Sequence, residues 1–207
     1  MPADDNSISA DLDQEAEALL SQVGSTLAPP APSPVDEVMS RLGVESLRWS
    51  GIRFLRDHSA RHRRDHIVAI TAQKVMVIEP RRASGTLAIV ERGTPLWPDT
   101  HLELDGRDHT KVIDTLLARI PVVAHAARGA ALDERREVEV TGVLCVLGAE
   151  LRTHTVDWRV RAATIHSLDT LVSALDRMIP PAAEVCEGEA EPVDRFGSAL
   201  AGRLIEV

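Results

Sequence analysis

Three charged residues flank two short apolar runs at a spacing that suits chemistry on a phosphodiester. Asp65 opens the run DHIVAI, Glu79 closes the run KVMVIE, and Arg81 follows two positions later. Glu37, in an earlier segment, supplies a third carboxylate. Each acid taken singly is best explained as a surface residue at an element end. Together they could bind Mg²⁺ or Mn²⁺, and such an ion can polarise a phosphodiester and activate a water.

Two neighbouring strands would have to position these residues. The runs DHIVAI and KVMVIEP are short and rich in β-branched residues, and the hairpin-length TAQ separates them, so they predict paired strands. Side chains alternate along a strand, so Glu79 and Arg81 are expected on one face, together with Val77. Asp65 begins the preceding strand of the hairpin, and we expect it beside the end of the next one. Glu37 would approach from a packed helix.

The surrounding pattern predicts an α/β fold, with a mixed sheet flanked by helices. A helix over PVDEVMSRLGVESL has Val38, Leu42 and Leu47 on its apolar face, and the strand GIRFLRDH follows it. GTLAIVER and HLELDG predict an added hairpin, joined through the loop GTPLWPDT. A long helix starts at about Thr110, and Pro121 is expected to kink or divide it.

The last part of the core alternates strand and helix. VEVTGVLCVLG is almost continuously apolar, which is typical of an internal strand parallel to a neighbour. A weaker strand lies around Val160 to Ile165, and a helix runs from Ser167 to Met178. Two prolines then end the core.

Charge divides the chain into three parts. Residues 1–33 carry a charge of −6 and end in STLAPPAPS, which predicts an acidic disordered arm and a Pro-rich linker. Residues 34–179 carry +1 and form the predicted domain, and residues 180–207 carry −4 and form an acidic C-terminal tail.

One stretch of this domain is basic. Six arginines lie between positions 48 and 64 against one acid, Asp57. Arg61, Arg63 and Arg64 are the candidates for binding a nucleic-acid backbone. A solvated Arg-rich hairpin explains the same pattern equally well.

Several classes of protein are disfavoured. Two cysteines in dissimilar surroundings do not indicate a disulfide framework or a metal site. No run approaches the roughly 20 apolar residues of a membrane span, and no signal-peptide pattern opens the chain, so we expect a cytoplasmic protein with no membrane partner. A Gly-rich phosphate loop and a nucleophile elbow are both missing from the sequence.

Four stretches follow one another along the chain: DHIVAI, VMVIEPRR, GRDHTK before the long helix, and VEVTGVLCVLGAEL. In this order they resemble the nuclease-related domain (NERD) family, a branch of the restriction-endonuclease-like PD-(D/E)xK fold. The resemblance covers residues 35–178. It implies a restriction-endonuclease-like core in which Asp65 and Glu79 are the metal-binding acids. Glu37 matches the acid of the family's first helix, with Glu45 as a rival, and Arg81 stands where the family normally has lysine.

The residue at position 81 leaves two functions open. An arginine stays protonated, so Arg81 can contact the scissile phosphate but cannot act as a base. Pro80 also removes a strand N–H at this point. The first function is a Mg²⁺-dependent nuclease acting on DNA. The second is a catalytically impaired module that binds nucleic acid or another protein.

Overall fold

One mixed sheet of eight strands, covered by helices, organises the described part of the chain. The computed structural model describes residues 31–59, 64–71, 74–94, 97–132, 138–152, 158–179 and 190–205. The chain divides into two compact units, Met1–Pro32 and Ser33–Val207. Every element below belongs to the second unit.

The helices and strands have the following bounds. The helices are α1 (Pro34–Glu45), α2 (Lys111–Leu132), α3 (Leu168–Met178) and α4 (Ala190–Ile205), with a 3₁₀ turn at Ser46–Arg48. The strands are β1 (Ile52–Ser59), β2 (Arg64–Thr71), β3 (Lys74–Thr94), β4 (Trp97–Leu104), β5 (Arg107–Asp108), β6 (Glu139–Leu151), β7 (Arg159–Val160) and β8 (Ala163–Ser167).

The sheet combines an antiparallel meander with a parallel half. The strand order is β1-β2-β3-β6-β8-β7, with β1, β2 and β3 antiparallel and β3, β6 and β8 parallel. β4 pairs with the second half of β3, and β5 pairs with β4. The predicted α/β class, the mixed sheet flanked by helices, the internal parallel strand and the added hairpin are confirmed.

β3 is one strand of 21 residues where the sequence predicted two. Its first half pairs with β2 and its second half with β4, and the register against β6 shifts between Arg82 and Gly85. Gly85 has a φ of 109°, and the Asp105 carboxylate accepts a hydrogen bond from the N–H of Thr86 at 2.8 Å. This irregularity lets a single strand serve both the sheet and the hairpin.

Alternation along β2 and β3 divides the core into two apolar layers. Ile67 and Ile78 face α1 and α3, whereas Val68 and Val77 face α2 and α4. Both layers are fully buried at these positions. The face on which a residue of β2 or β3 lies therefore decides which helices surround it.

One local expectation differs from the structure, and the structure narrows a second. Leu47 lies in the 3₁₀ turn and is 84% exposed, so the apolar face of α1 consists of Val35, Val38 and Leu42. α2 is not divided at Pro121. None of the helices in the described ranges has the length and apolar character needed to cross a membrane.

The predicted C-terminal tail contains a helix that belongs to the core. Within α4, Val193, Phe196 and Leu200 are at most 2% exposed and join the layer formed with α2. The assignment of residues 180–207 to an acidic tail is therefore corrected for residues 190–205, because their apolar residues recur at helical spacing.

Candidate functional site

Asp65 lies on the α1 side of the sheet and is held by an arginine. Arg56, on β1, donates to the Asp65 carboxylate from Nε at 3.0 Å and from Nη2 at 2.6 Å. The same guanidinium donates from Nη1 to Asp36 at 2.6 Å, and Nδ1 of His58 lies 2.9 Å from the other Asp65 oxygen. The hydrogen bonds from Arg56 are the main reason that the pKa of Asp65 lies below its ordinary value.

Glu79 lies on the other side of the sheet and is 2% exposed. Its carboxylate forms an ion pair with Arg81, and one oxygen lies 3.5 Å from Nε2 of His66, at the outer limit of a hydrogen bond. Burial alone would raise the pKa of Glu79, but the adjacent His66 imidazole and the Arg81 charge together bring it below its ordinary value. Glu79 is therefore held as a carboxylate by its neighbours.

The strand register keeps Asp65 and Glu79 apart. Ile67 pairs with Ile78, so the next pair along the hairpin is His66 with Glu79, and Asp65 falls opposite Pro80. Paired residues share a face and successive residues alternate. His66, rather than Asp65, is thus the neighbour of Glu79, while Glu79 and Arg81 share a face as predicted.

Glu37 contacts a third arginine. Its carboxylate forms an ion pair with Arg82, and both side chains are partly exposed. Ser33 caps α1 by accepting a hydrogen bond from the N–H of Asp36 at 3.2 Å, which fixes the first turn of the helix near the sheet end. Each of the three acids proposed from the sequence is therefore paired with an arginine.

A buried polar row, not predicted from the sequence, crosses the first three strands. Asp57 on β1 pairs with His66 on β2, which neighbours Glu79 on β3, and the three are at most 3% exposed. Arg119 of α2 holds Asp57 through two hydrogen bonds of 2.8 Å. Removing one partner of such a buried pair typically costs about 3–5 kcal/mol.

No signal in the sequence pointed to Asp57 and Arg119 as partners. Asp57 is one acid among many arginines, and Arg119 is 62 positions away on a helix. His66 is buried beside Glu79, in a core position. Its Nδ1 has no hydrogen-bond partner among the described residues.

The start of β2 and the middle of β3 border a pocket of about 380 Å³, and both predicted metal ligands line it. Arg56, Arg81 and Arg82 line it as well. In the described ranges, no group of three His, Cys, Asp or Glu side chains is placed to hold a metal ion. Mg²⁺ needs several converging oxygens, and here the carboxylates diverge onto opposite faces with a guanidinium on each. The residues present do not fit a metal centre.

Half of the basic stretch is committed to internal contacts. Arg48 pairs with Glu45 and Asp176 at 2.8 and 2.9 Å, and Arg53 donates to the Asp194 carbonyl at 2.9 Å. With Arg56, half of the six arginines stabilise the fold. Arg61 and Arg63 lie outside the described residues, and only the backbone of Arg64 is described.

A comparison of the chain with protein-family models, characterised proteins and solved structures finds no match.

Proposed function

We propose that this domain is a non-catalytic module that binds the phosphate backbone of nucleic acid. The observation that carries the proposal is the pairing of Asp65, Glu79 and Glu37 with Arg56, Arg81 and Arg82. This arrangement favours binding over metal-dependent hydrolysis.

A metal ion entering this pocket would have to displace two guanidinium groups. An arginine stays charged at any ordinary pH, so Arg56 and Arg81 would be left as cations beside the incoming ion. Glu79 is buried, where separating an ion pair is most costly. The cost of separating these pairs therefore opposes metal binding and the hydrolysis that would depend on it.

The binding surface is assigned to the connection between β1 and β2. Arg61, Arg63 and Arg64 follow Arg56 in sequence, whereas Arg48 and Arg53 are already engaged in contacts that stabilise the described fold. Arginines contact phosphates without reading bases, so the expected affinity depends on salt and not on sequence.

Fluorescence anisotropy of labelled duplexes in EDTA tests the binding. Replacing Arg61, Arg63 and Arg64 with Ser should weaken binding to unrelated duplexes alike, and should reduce the slope of log K against log salt by about three. The matched control replaces the exposed Arg107, Arg128 and Arg152 with Ser, which changes the net charge equally. Equal weakening by both triple variants would show that Arg61, Arg63 and Arg64 do not form the nucleic-acid-binding surface.

Cleavage assays separate the module from a nuclease. Wild-type protein in millimolar Mg²⁺ or Mn²⁺ should bind duplex without cutting it, and the metal should give no gain in affinity over EDTA. Metal-dependent cutting that is abolished by Glu79→Gln would contradict the proposal and restore the catalytic interpretation.

A further inference from the structure

A separate pocket lies where β8 ends and its neighbour continues. β8 stops at Ser167, which pairs with Val146, whereas β6 runs on to Leu151. The pocket there has a volume of about 610 Å³, in the range of pockets that hold small molecules. Open α/β sheets bind ligands beyond the carboxyl ends of their strands, and β6 and β8 are parallel strands that end here.

Two arginines from different elements line this pocket. Arg159 lies on β7 and Arg177 in the last turn of α3, and none of the described residues that line the pocket is acidic. Neither arginine side chain has a hydrogen bond or an ion pair with a described residue. This differs from the pocket that Asp65 and Glu79 line, where Arg56, Arg81 and Arg82 each hold a carboxylate. Guanidinium groups in a concave surface, with no partner among the residues that the structure describes, suit a phosphate, which they can bind in a fork geometry.

The same pocket has an aromatic wall. Trp158 is half-buried and packs against the core, and its carbonyl accepts a hydrogen bond from the N–H of Ile165 at 2.7 Å, which fixes its backbone beside β8. Its indole borders the pocket, and an indole offers a flat surface on which a planar ring can stack. The pocket therefore combines a site for a phosphate with a site for a base.

His166 contributes a neutral polar group at the same place. Burial lowers the pKa of His166, and the charge of Arg177 lowers it further. The imidazole is therefore uncharged near neutral pH and can exchange hydrogen bonds with a ligand without adding charge. Arg177 and His166 line the same pocket.

We propose that this pocket binds a nucleoside phosphate, with Arg159 and Arg177 on the phosphate and Trp158 against the base. The proposal does not rest on the backbone-binding function, because the two pockets share no lining residue.

Isothermal titration of the full chain with adenosine monophosphate, adenosine and inorganic phosphate tests the arginines. The nucleotide should bind at least about tenfold more tightly than either fragment, since it makes both sets of contacts. Replacing Arg159 and Arg177 with Ser should weaken nucleotide binding about 100-fold. The matched control, Arg107→Ser with Arg128→Ser, should leave it unchanged. No binding of the nucleotide, or equal loss in both double variants, would overturn the proposal.

Substitution of Trp158 tests the class of ligand. Trp158→Leu should weaken nucleotide binding about 5- to 150-fold and leave phosphate binding unchanged, and Trp158→Phe should restore most of the loss because the ring is retained. Circular dichroism melts confirm that each variant is folded, and Trp158→Phe alone decides the question if the Leu variant unfolds. Equal affinity for phosphate and nucleotide, or an unchanged affinity in a folded Leu variant, would show that no base is recognised.

Discussion

Arg56 and Arg81 carry out one task of a divalent cation, because each neutralises a carboxylate at the sheet end. The two arginines lie apart, on opposite faces of the sheet. Each also donates hydrogen bonds that fix the orientation of its carboxylate. A metal ion would instead draw the acids together around one centre.

Lowering the pH should release the stabilisation provided by Asp65. Its pKa in the folded protein lies below the ordinary value of 3.8, so the ion pair stabilises the fold above that pH and is lost as the pH falls through the folded pKa. Urea unfolding of wild type and Asp65→Asn should show a difference in unfolding free energy that is constant from about pH 5 to 7. The difference should shrink as the pH is lowered further.

Asp169→Asn is the control for this prediction. Asp169 is exposed, and its side chain has no ion pair with a described residue. Its replacement should leave the pH dependence of wild type almost unchanged. A difference for Asp65→Asn that stays constant down to about pH 3 would contradict the role given to Arg56.

At the residue scale, the sequence identified polar positions but not their partners. The basic stretch, the acids and the common face of Glu79 and Arg81 followed from residue type and alternation. The Asp57–Arg119 pair could not be found, since it joins a strand to a helix 62 positions later and leaves no local pattern.

At the scale of elements, register decides which residues meet. The strands DHIVAI and KVMVIEP were predictable from their composition, but their pairing depends on the turn that joins them. A shift of one residue moves every side chain of a strand to the other face. The register places Asp65 and Glu79 on opposite faces of the sheet. The periodicity within either strand does not reveal that register.

The register shift in β3 depends on Gly85. A Cβ at this position would lie 2.1 Å from Oδ2 of Asp105, and the φ of 109° disfavours any other residue. Gly85→Ala should lower the unfolding free energy by roughly 2 kcal/mol or more, as measured by urea denaturation.

Gly43→Ala is the matched control. Gly43 lies in α1, and a Cβ added there would have nothing within 4 Å, so the change should stabilise the protein by about 0.5–1 kcal/mol. If both variants were as stable as wild type, the backbone at position 85 would tolerate a side chain. The importance given to Gly85 would then be refuted.

At the scale of the molecule, α4 completes the layer that covers β1 and α2. Its apolar residues Val193, Phe196 and Leu200 recur at helical spacing, a signal that the acidic composition of the segment obscured. Arg53 of β1 donates to the Asp194 carbonyl and to the Ser198 hydroxyl, at 2.9 and 2.8 Å. Composition describes the average charge of a segment, whereas packing depends on the few apolar residues on one face.

Loss of the Phe196 side chain should therefore destabilise the whole unit. Phe196 is 1% exposed, and replacing such a residue with Ala typically costs about 3–5 kcal/mol, or about 10 °C in Tm for a protein of this size. Gly202→Ala, on the same helix with open space around it, should leave the Tm within about 3 °C of wild type. An unchanged Tm for Phe196→Ala in a thermal melt would show that the segment is a tail and not part of the core.

The docking of α4 on β1 also has a consequence for synthesis. β1 is among the first strands to be made, and the helix that covers it begins at Ala190. At typical rates of translation, on the order of ten seconds pass between the two. During that interval the nascent chain exposes the apolar side of its first strands, and folding of this layer must wait for the ribosome to finish the helix. The protein is thus most exposed to aggregation, and most open to chaperones, while it is still being translated.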